Sequence, residues 1–112
     1  MAYKQIIDRI PDDAFDWADE PITILVDVDD NRWFLVVDVA RVLGYSRYEE
    51  AIKRHVNPNY IERFGQIKDI IVSRVSARVR DDFRFLSEEG LYHFINDSKR
   101  KPYARQLKAD YF

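Results

Sequence analysis

The chain has 112 residues, 46% of them hydrophobic and 34% charged, enough for one hydrophobic core and unlike the composition of a disordered segment. It has no cysteine, which removes disulfides, thiolate nucleophiles and thiolate metal sites together and fits a reducing, intracellular setting. No apolar run is long enough to span a bilayer, and Met1-Ala2-Tyr3-Lys4 does not begin a secretory signal. The net charge of −2 conceals a division: residues 1–30 carry two basic and nine acidic side chains, residues 31–112 sixteen and eleven. The total therefore argues neither for nor against nucleic acid, and the distribution leaves a basic face open.

Taken in order, Tyr3 to Ile10 places Ile6, Ile7 and Ile10 at helical spacing, a short helix halted by Pro11. Residues 1–20 form an acidic arm. Its stretch from Asp12 to Glu20, with Phe15 and Trp17, reads as a surface connector with an aromatic anchor, or as an acidic partner-binding motif. Ile22 to Val28 is the first strand, and Asp29-Asp30-Asn31-Arg32 turns it into Trp33-Phe34-Leu35-Val36-Val37 as a hairpin. That apolar run predicts a strand buried on both faces. Asp38 then stands as the cap of a short helix, whose inner stripe is Val39, Val42 and Leu43, with Gly44 as the exit. Ser46-Arg47-Tyr48-Glu49 has the spacing of a capping box for a second helix. This helix turns Tyr48, Ala51, Ile52, His55 and Val56 inward and Arg47, Lys53 and Arg54 outward, and Asn57-Pro58 ends it.

Beyond Pro58, Tyr60 to Phe64 predicts a further helical turn before Gly65, and Ile67 to Val72 a strand. From Ser73 to Arg80 polar and apolar residues alternate: Arg74, Ser76, Arg78 and Arg80 on one side, Val75, Ala77 and Val79 on the other. With Phe83 to Leu86 running back, this predicts a second β-hairpin whose turn lies at Asp81-Asp82 or near Ser73–Ala77. Ser87 caps a third helix with Glu88 and Glu89 in its first turn and Leu91, Phe94 and Ile95 inside. Asp97-Ser98-Lys99-Arg100-Lys101 is a basic turn, and Pro102 opens a last helix with Ala104, Leu107 and Tyr111 inward. The sum is a single α+β domain over residues 1–112, with two β-hairpins and four to five short helices, two of them paired like a helix-turn-helix.

The stretches Val37-Asp38-Val39-Ala40, Leu43-Gly44-Tyr45-Ser46, Ala51-Ile52 and Arg54-His55-Val56 follow a "DVA…LGY…A…RHV" pattern. A second block, Phe85-Leu86-Ser87-Glu88-Glu89-Gly90-Leu91-Tyr92, is similar to "FINESGLY", followed by Ile95, Ser98-Lys99 and Ala104. In this order and spacing the chain from Ile22 onward resembles the N-terminal domain of the Bro family (Bro-N), found in large DNA viruses and in phage and prophage antirepressors. The resemblance implies a DNA-binding module of a viral or phage regulator. Members of the family usually continue into the rest of the last helix and often into a second domain, so a chain ending at Phe112 is a short stand-alone member or an excised domain.

Catalysis finds little support in the residues. His55 and His93 lie on separate elements outside any metal-ligand spacing, and three glycines form no phosphate loop. His55, on an inner stripe, reads as a hydrogen-bonded core or boundary residue. Glu49-Glu50 and Glu88-Glu89 sit in first turns of helices, where the macrodipole accounts for them. No enzyme, cofactor, metal or small-molecule substrate is expected. Duplex DNA is the expected partner, through Arg47, Lys53 and Arg54 of the second helix, Arg74, Arg78 and Arg80 of the ribbon, and Lys99, Arg100 and Lys101 of the basic turn. The same charges also suit a solvated surface, and those of the ribbon a guarded strand edge. The alternative is an antirepressor-type module that grips a protein through Phe15, Trp17 and the surrounding acids. A homodimer through Tyr111 and Phe112 is a third possibility.

Overall fold

The computed structural model describes residues 14–17 and 20–98. The helices expected over Tyr3–Ile10 and from Pro102, with the Lys99–Lys101 turn, lie outside them. The described chain runs β1 (Ala14–Trp17), β2 (Glu20–Val26), β3 (Arg32–Leu35), α1 (Val36–Leu43), α2 (Tyr48–His55), a 3-10 turn (Pro58–Tyr60), β4 (Ile61–Arg63), α3 (Phe64–Ile67), a second 3-10 turn (Lys68–Ile70), β5 (Arg84–Leu86) and α4 (Glu88–Asp97). The strands form one antiparallel sheet in the order β1-β2-β3-β5-β4. The architecture is α+β, as expected.

Strand side chains alternate between the sheet's two faces, and the core divides accordingly. Ile22, Ile24, Phe34 and Leu86 face a cluster completed by the buried stripes of α1, α2 and α4, including Val39, Leu43, Ile52, Leu91 and Phe94. Leu25, Leu35 and Phe85 face a smaller cluster closed by Phe64 and Ile67 of α3 and by Ile71, Val75, Val79 and Phe83. The helix pair thus lies on one face of the sheet and the 71–83 segment on the other.

Several local expectations are corrected. Residues 14–17 are not a surface connector but β1, paired with β2 from Ala14↔Thr23 to Trp17↔Glu20. The Trp33–Val37 run stops being strand at Leu35, because helical winding from Val36 sets Val36, Val39, Ala40 and Leu43 on one buried stripe. Asp38 is consequently inside the first turn rather than its cap. Its carboxylate accepts the Thr23 N–H at 2.8 Å and an Arg41 guanidinium N–H at 3.0 Å, tying α1 to β2. The capping box does not form: α2 starts at Tyr48 with Arg47 as N-cap and no side-chain cap bond.

Tyr60–Phe64 is not a helical turn. Asn57 caps the Pro58–Tyr60 turn by accepting the Asn59 N–H, after which Ile61–Arg63 pairs with β5. The strand expected over Ile67–Val72 is replaced by the end of α3 and a 3-10 turn, with only Ile71 bridging Asp27. Most consequentially, Ser73–Arg80 forms no β-ribbon. Val26 captures the start of this segment, its carbonyl accepting the N–H groups of Val72 and Ser73 and its own N–H donating to Ser73 Oγ at 2.9 Å. The partner intended for the ribbon, β5, is already taken on both sides by β3 and β4. Gly44 behaves as expected, left-handed at φ 96° with its N–H capping α1. So does Ser87, whose hydroxyl accepts the Gly90 N–H.

Candidate nucleic-acid interface

The two paired helices have different roles because they are buried to different extents. α1 buries six of its eight residues, whereas α2 buries only Ala51 and Ile52. α1 is therefore a core element and α2 stands half out of the fold. Two sets of contacts hold α2 in place. Near its start, Arg84 of β5 reaches the Glu49 carboxylate at 3.1 Å and lies 5.6 Å from the centre of the Tyr48 ring. At its end, His55 Nδ1 is 2.6 Å from Asp97 Oδ2 of α4, and the imidazole packs beside Tyr45 and Phe94. The Tyr45 hydroxyl meets Ser98 Oγ at 2.7 Å. His55 is thus the hydrogen-bonded boundary residue that its position on the inner stripe suggested.

With its inner face anchored, α2 presents Arg47, Glu50, Lys53 and Arg54 to solvent. Arg47 sits 3.5 Å from Glu50, an exposed pair worth a few tenths of a kcal/mol at most, ~0.3–0.5. Among the described residues neither Lys53 nor Arg54 has a carboxylate within ion-pair range. Depressions flank the helix on both sides. A groove of about 720 Å³ separates it from β4 and α3, lined by the apolar Ile52, Val56, Pro58 and Ile61, by Lys53, Arg63 and Arg84, and by the carboxylates of Glu49 and Glu50. On the other side a notch of about 190 Å³ at the inter-helix turn brings together Arg47, Glu50 and Arg54.

The basic residues foreseen from the sequence are not one surface. Arg74, Arg78 and Arg80 are exposed, but they belong to the segment covering the opposite face of the sheet. Arg78 turns back locally, its backbone N–H 3.2 Å from Ser76 Oγ. Lys99, Arg100 and Lys101 are outside the described residues. Conversely, Arg63 and Glu50 share the neighbourhood of α2 and were not singled out by sequence. No local pattern could have found Arg63, which reaches the groove only because residues 61–63 add an edge strand beside β5. Glu50 was explicable by its first-turn position alone.

Among the described residues no group of three or more His, Asp or Glu could hold a metal ion. His93 stacks on Tyr60 at 5.1 Å between ring centres. A hydrogen bond to Glu89, with burial and the carboxylate's charge, pushes the Tyr60 phenol above its usual value, away from phenolate chemistry. Among the described residues no helix is long and apolar enough to cross a membrane.

The family model described as "BRO family, N-terminal domain" matches residues 21–111. An uncharacterized protein of Haemophilus influenzae is 27% identical over 97 residues, a match covering 86% of this chain. The chain spans 43% of that protein's length. No solved structure matches.

Proposed function

The chain belongs to the BRO family N-terminal domain, and on that premise we propose that it is a DNA-binding regulatory domain of a viral, phage or prophage protein, engaging duplex DNA through the outer face of α2. The observation that carries this reading is the contrast within the helix pair. A helix anchored at both ends leaves three cations, Arg47, Lys53 and Arg54, exposed among the described residues. A duplex groove admits such a helix, and fixed cations neutralise its phosphates. The basic run Lys99-Arg100-Lys101 follows directly on Ser98, which is hydrogen-bonded to the inter-helix turn at Tyr45. That connectivity favours its joining the same contact. Arg74, Arg78 and Arg80, on the far face of the sheet, are left out of the proposed contact.

The test is a titration of the whole chain against a mixed-sequence duplex at several salt concentrations. It is run with Arg47/Lys53/Arg54→Ala and, in parallel, Arg74/Arg78/Arg80→Ala. Each lost phosphate contact removes about 0.9 from the slope of log affinity against log salt. The helix variant should therefore lose between roughly 0.9 and 2.7 in slope, set by how many of the three cations touch phosphate, while the second variant keeps the parental slope. Absence of binding at low salt would sink the reading. So would the full loss appearing in the Arg74/Arg78/Arg80 variant instead.

A protein-binding role remains as a second reading because of one feature, the apolar part of the lining of the groove between α2 and β4. Strand addition is not how that groove would be used. The outward N–H of Ile61 is spent on the Pro58 carbonyl and that of Arg63 on Gln66 Oε1, which blunts this edge of the sheet. A partner would have to seat side chains on Ile52, Val56 and Ile61, and the charge-neutral Ile61→Ala would then weaken its binding roughly tenfold or more while leaving the salt slope of DNA binding unchanged.

A further inference from the structure

The cations on α2 do not explain Glu50. Glu50 stands in the first turn of α2, where the helix dipole favours a carboxylate, but on a helix that grips phosphates its charge also repels the backbone it approaches. Yet Glu50 lines the same notch as Arg47 and Arg54, between them along the helix. We propose, resting on the DNA-binding reading above, that Arg47, Glu50 and Arg54 form a base-reading row selecting a G·C-containing site.

The chemistry fits base edges in the major groove. Arg donates two parallel bonds to guanine O6 and N7, and a Glu carboxylate accepts from the cytosine N4 amino group. The same surface is poor at reading A·T. Adenine is recognised by Asn or Gln, and the exposed residues of α2 include neither. The small apolar residue that could meet a thymine methyl, Ala51, is buried. The spacing fits as well. Seven residues at about 1.5 Å rise separate Arg47 from Arg54 by roughly 10 Å, some three steps of the duplex at about 3.4 Å each. The row spans about four base pairs, with guanines toward its ends and a cytosine between, on either strand. Lys53 lies on the groove side of the helix, where the lining also carries Arg63, Glu49 and Glu50, so that Lys53 and Arg63 are a pair of cations flanked by carboxylates. That pair is assigned to the phosphates bordering the site, which position the protein without carrying sequence information.

The test is selection from a randomised duplex pool with the whole chain, repeated with Glu50→Gln and Arg54→Lys. Enrichment of guanine and cytosine within a core of about four base pairs supports the proposal. So does loss of the cytosine preference, roughly tenfold or more at one position, in Glu50→Gln. Arg54→Lys, keeping the charge but not the fork, should relax one guanine position while leaving the salt slope intact. If Glu50 is only the exposed partner of Arg47, Glu50→Gln will instead strengthen binding to every sequence alike, and the proposal is overturned. Binding without base preference, or with an A·T-rich core, overturns it as well and leaves the DNA-binding reading standing. No binding to any duplex at low salt removes both.

Discussion

Asp27 is the residue whose replacement should cost the fold most for the fewest atoms changed. It follows β2 and is 3% exposed, yet it is an acid with no basic partner among the described residues. Its Oδ1 accepts the backbone N–H groups of Asp29 and Asn31, both at 2.9 Å. Its Oδ2 accepts Asn31 Nδ2 at 3.3 Å and the Trp33 indole N–H at 3.0 Å. One carboxylate thus satisfies the turn that reverses β2 into β3 and pins the tryptophan at the start of β3. Burial pushes its proton affinity up, but the bonds from Trp33, Asn31 and Asp29 together outweigh it and hold the group below the ordinary carboxylate range.

Asp27→Asn keeps one acceptor oxygen for the two backbone donors and sets an amide N–H₂ against the other two. Losing two bonds to a charged acceptor, one of them from a half-exposed indole, costs about 2 kcal/mol, and Asp27→Ala about 3–4. For a domain of this size about 2 kcal/mol lowers Tm by about 10 °C. Thermal and urea unfolding followed by circular dichroism would measure it. The pH dependence supplies an independent sign. A carboxyl with a depressed folded pKa contributes stability that is complete above its unfolded value of about 3.9 and is lost as pH falls through the folded value. The gap between parent and Asp27→Asn should therefore be full at pH 7 and shrink below about pH 4. An Asp27→Ala protein melting within ~2 °C of the parent, or a gap unchanged from neutral to acid pH, would refute the reasoning.

Two further outcomes follow from single contacts. At Gly90 an added Cβ would stand 2.7 Å from Tyr60 Cβ and 3.0 Å from the Tyr60 carbonyl oxygen. Gly90→Ala should therefore lower stability by about 2 kcal/mol despite the better helix propensity of Ala, read as a drop in urea midpoint at unchanged m-value. His55→Phe keeps the ring beside Tyr45 and Phe94 but removes the bond to the exposed Asp97 carboxylate. A double-mutant cycle with Asp97→Asn should give a coupling of about 1 kcal/mol or less, and a coupling near zero would mean that packing alone fixes the end of α2.

What could be read from the sequence was whatever depends on residues close together along it. Gly44 ends a helix because only its own φ matters, and Ser87 caps one because its partner N–H is three residues away. The α1 stripe and the inward face of α2 were legible for the same reason. The failures involve distant partners. Residues 73–80 alternate like a strand because Val75 and Val79 do face the core, so the polarity was right. Whether such a segment is a strand depends on a free edge with hydrogen bonds to offer, and β5 spends both of its edges on β3 and β4. Likewise Val36 and Val37 read as strand by composition, while helical winding from Val36 sets Val36, Val39, Ala40 and Leu43 on one stripe buried against distant elements of the core. The candidate interface inherited this error: a set of arginines assigned to one side of the molecule lies on two faces.

That separation bears on how the domain would find DNA at all. Within residues 20–98 there are eleven basic and fourteen acidic side chains, whereas residues 99–112 hold five basic and one acidic. Residues 20–98 therefore offer no broad positive field to draw in a duplex, and long-range steering would rest on the charges after Ser98. On the reading proposed above, affinity within residues 20–98 would come from a small number of placed groups on α2. Such a surface would give a shallow salt dependence and owe its discrimination to base edges, because the few phosphate contacts available are indifferent to sequence. A protein that bound with the steep slope of a ten-phosphate contact would have to do so through surfaces other than α2. Arg74/Arg78/Arg80→Ala and Lys99/Arg100/Lys101→Ala would then tell which of the other surfaces carries it.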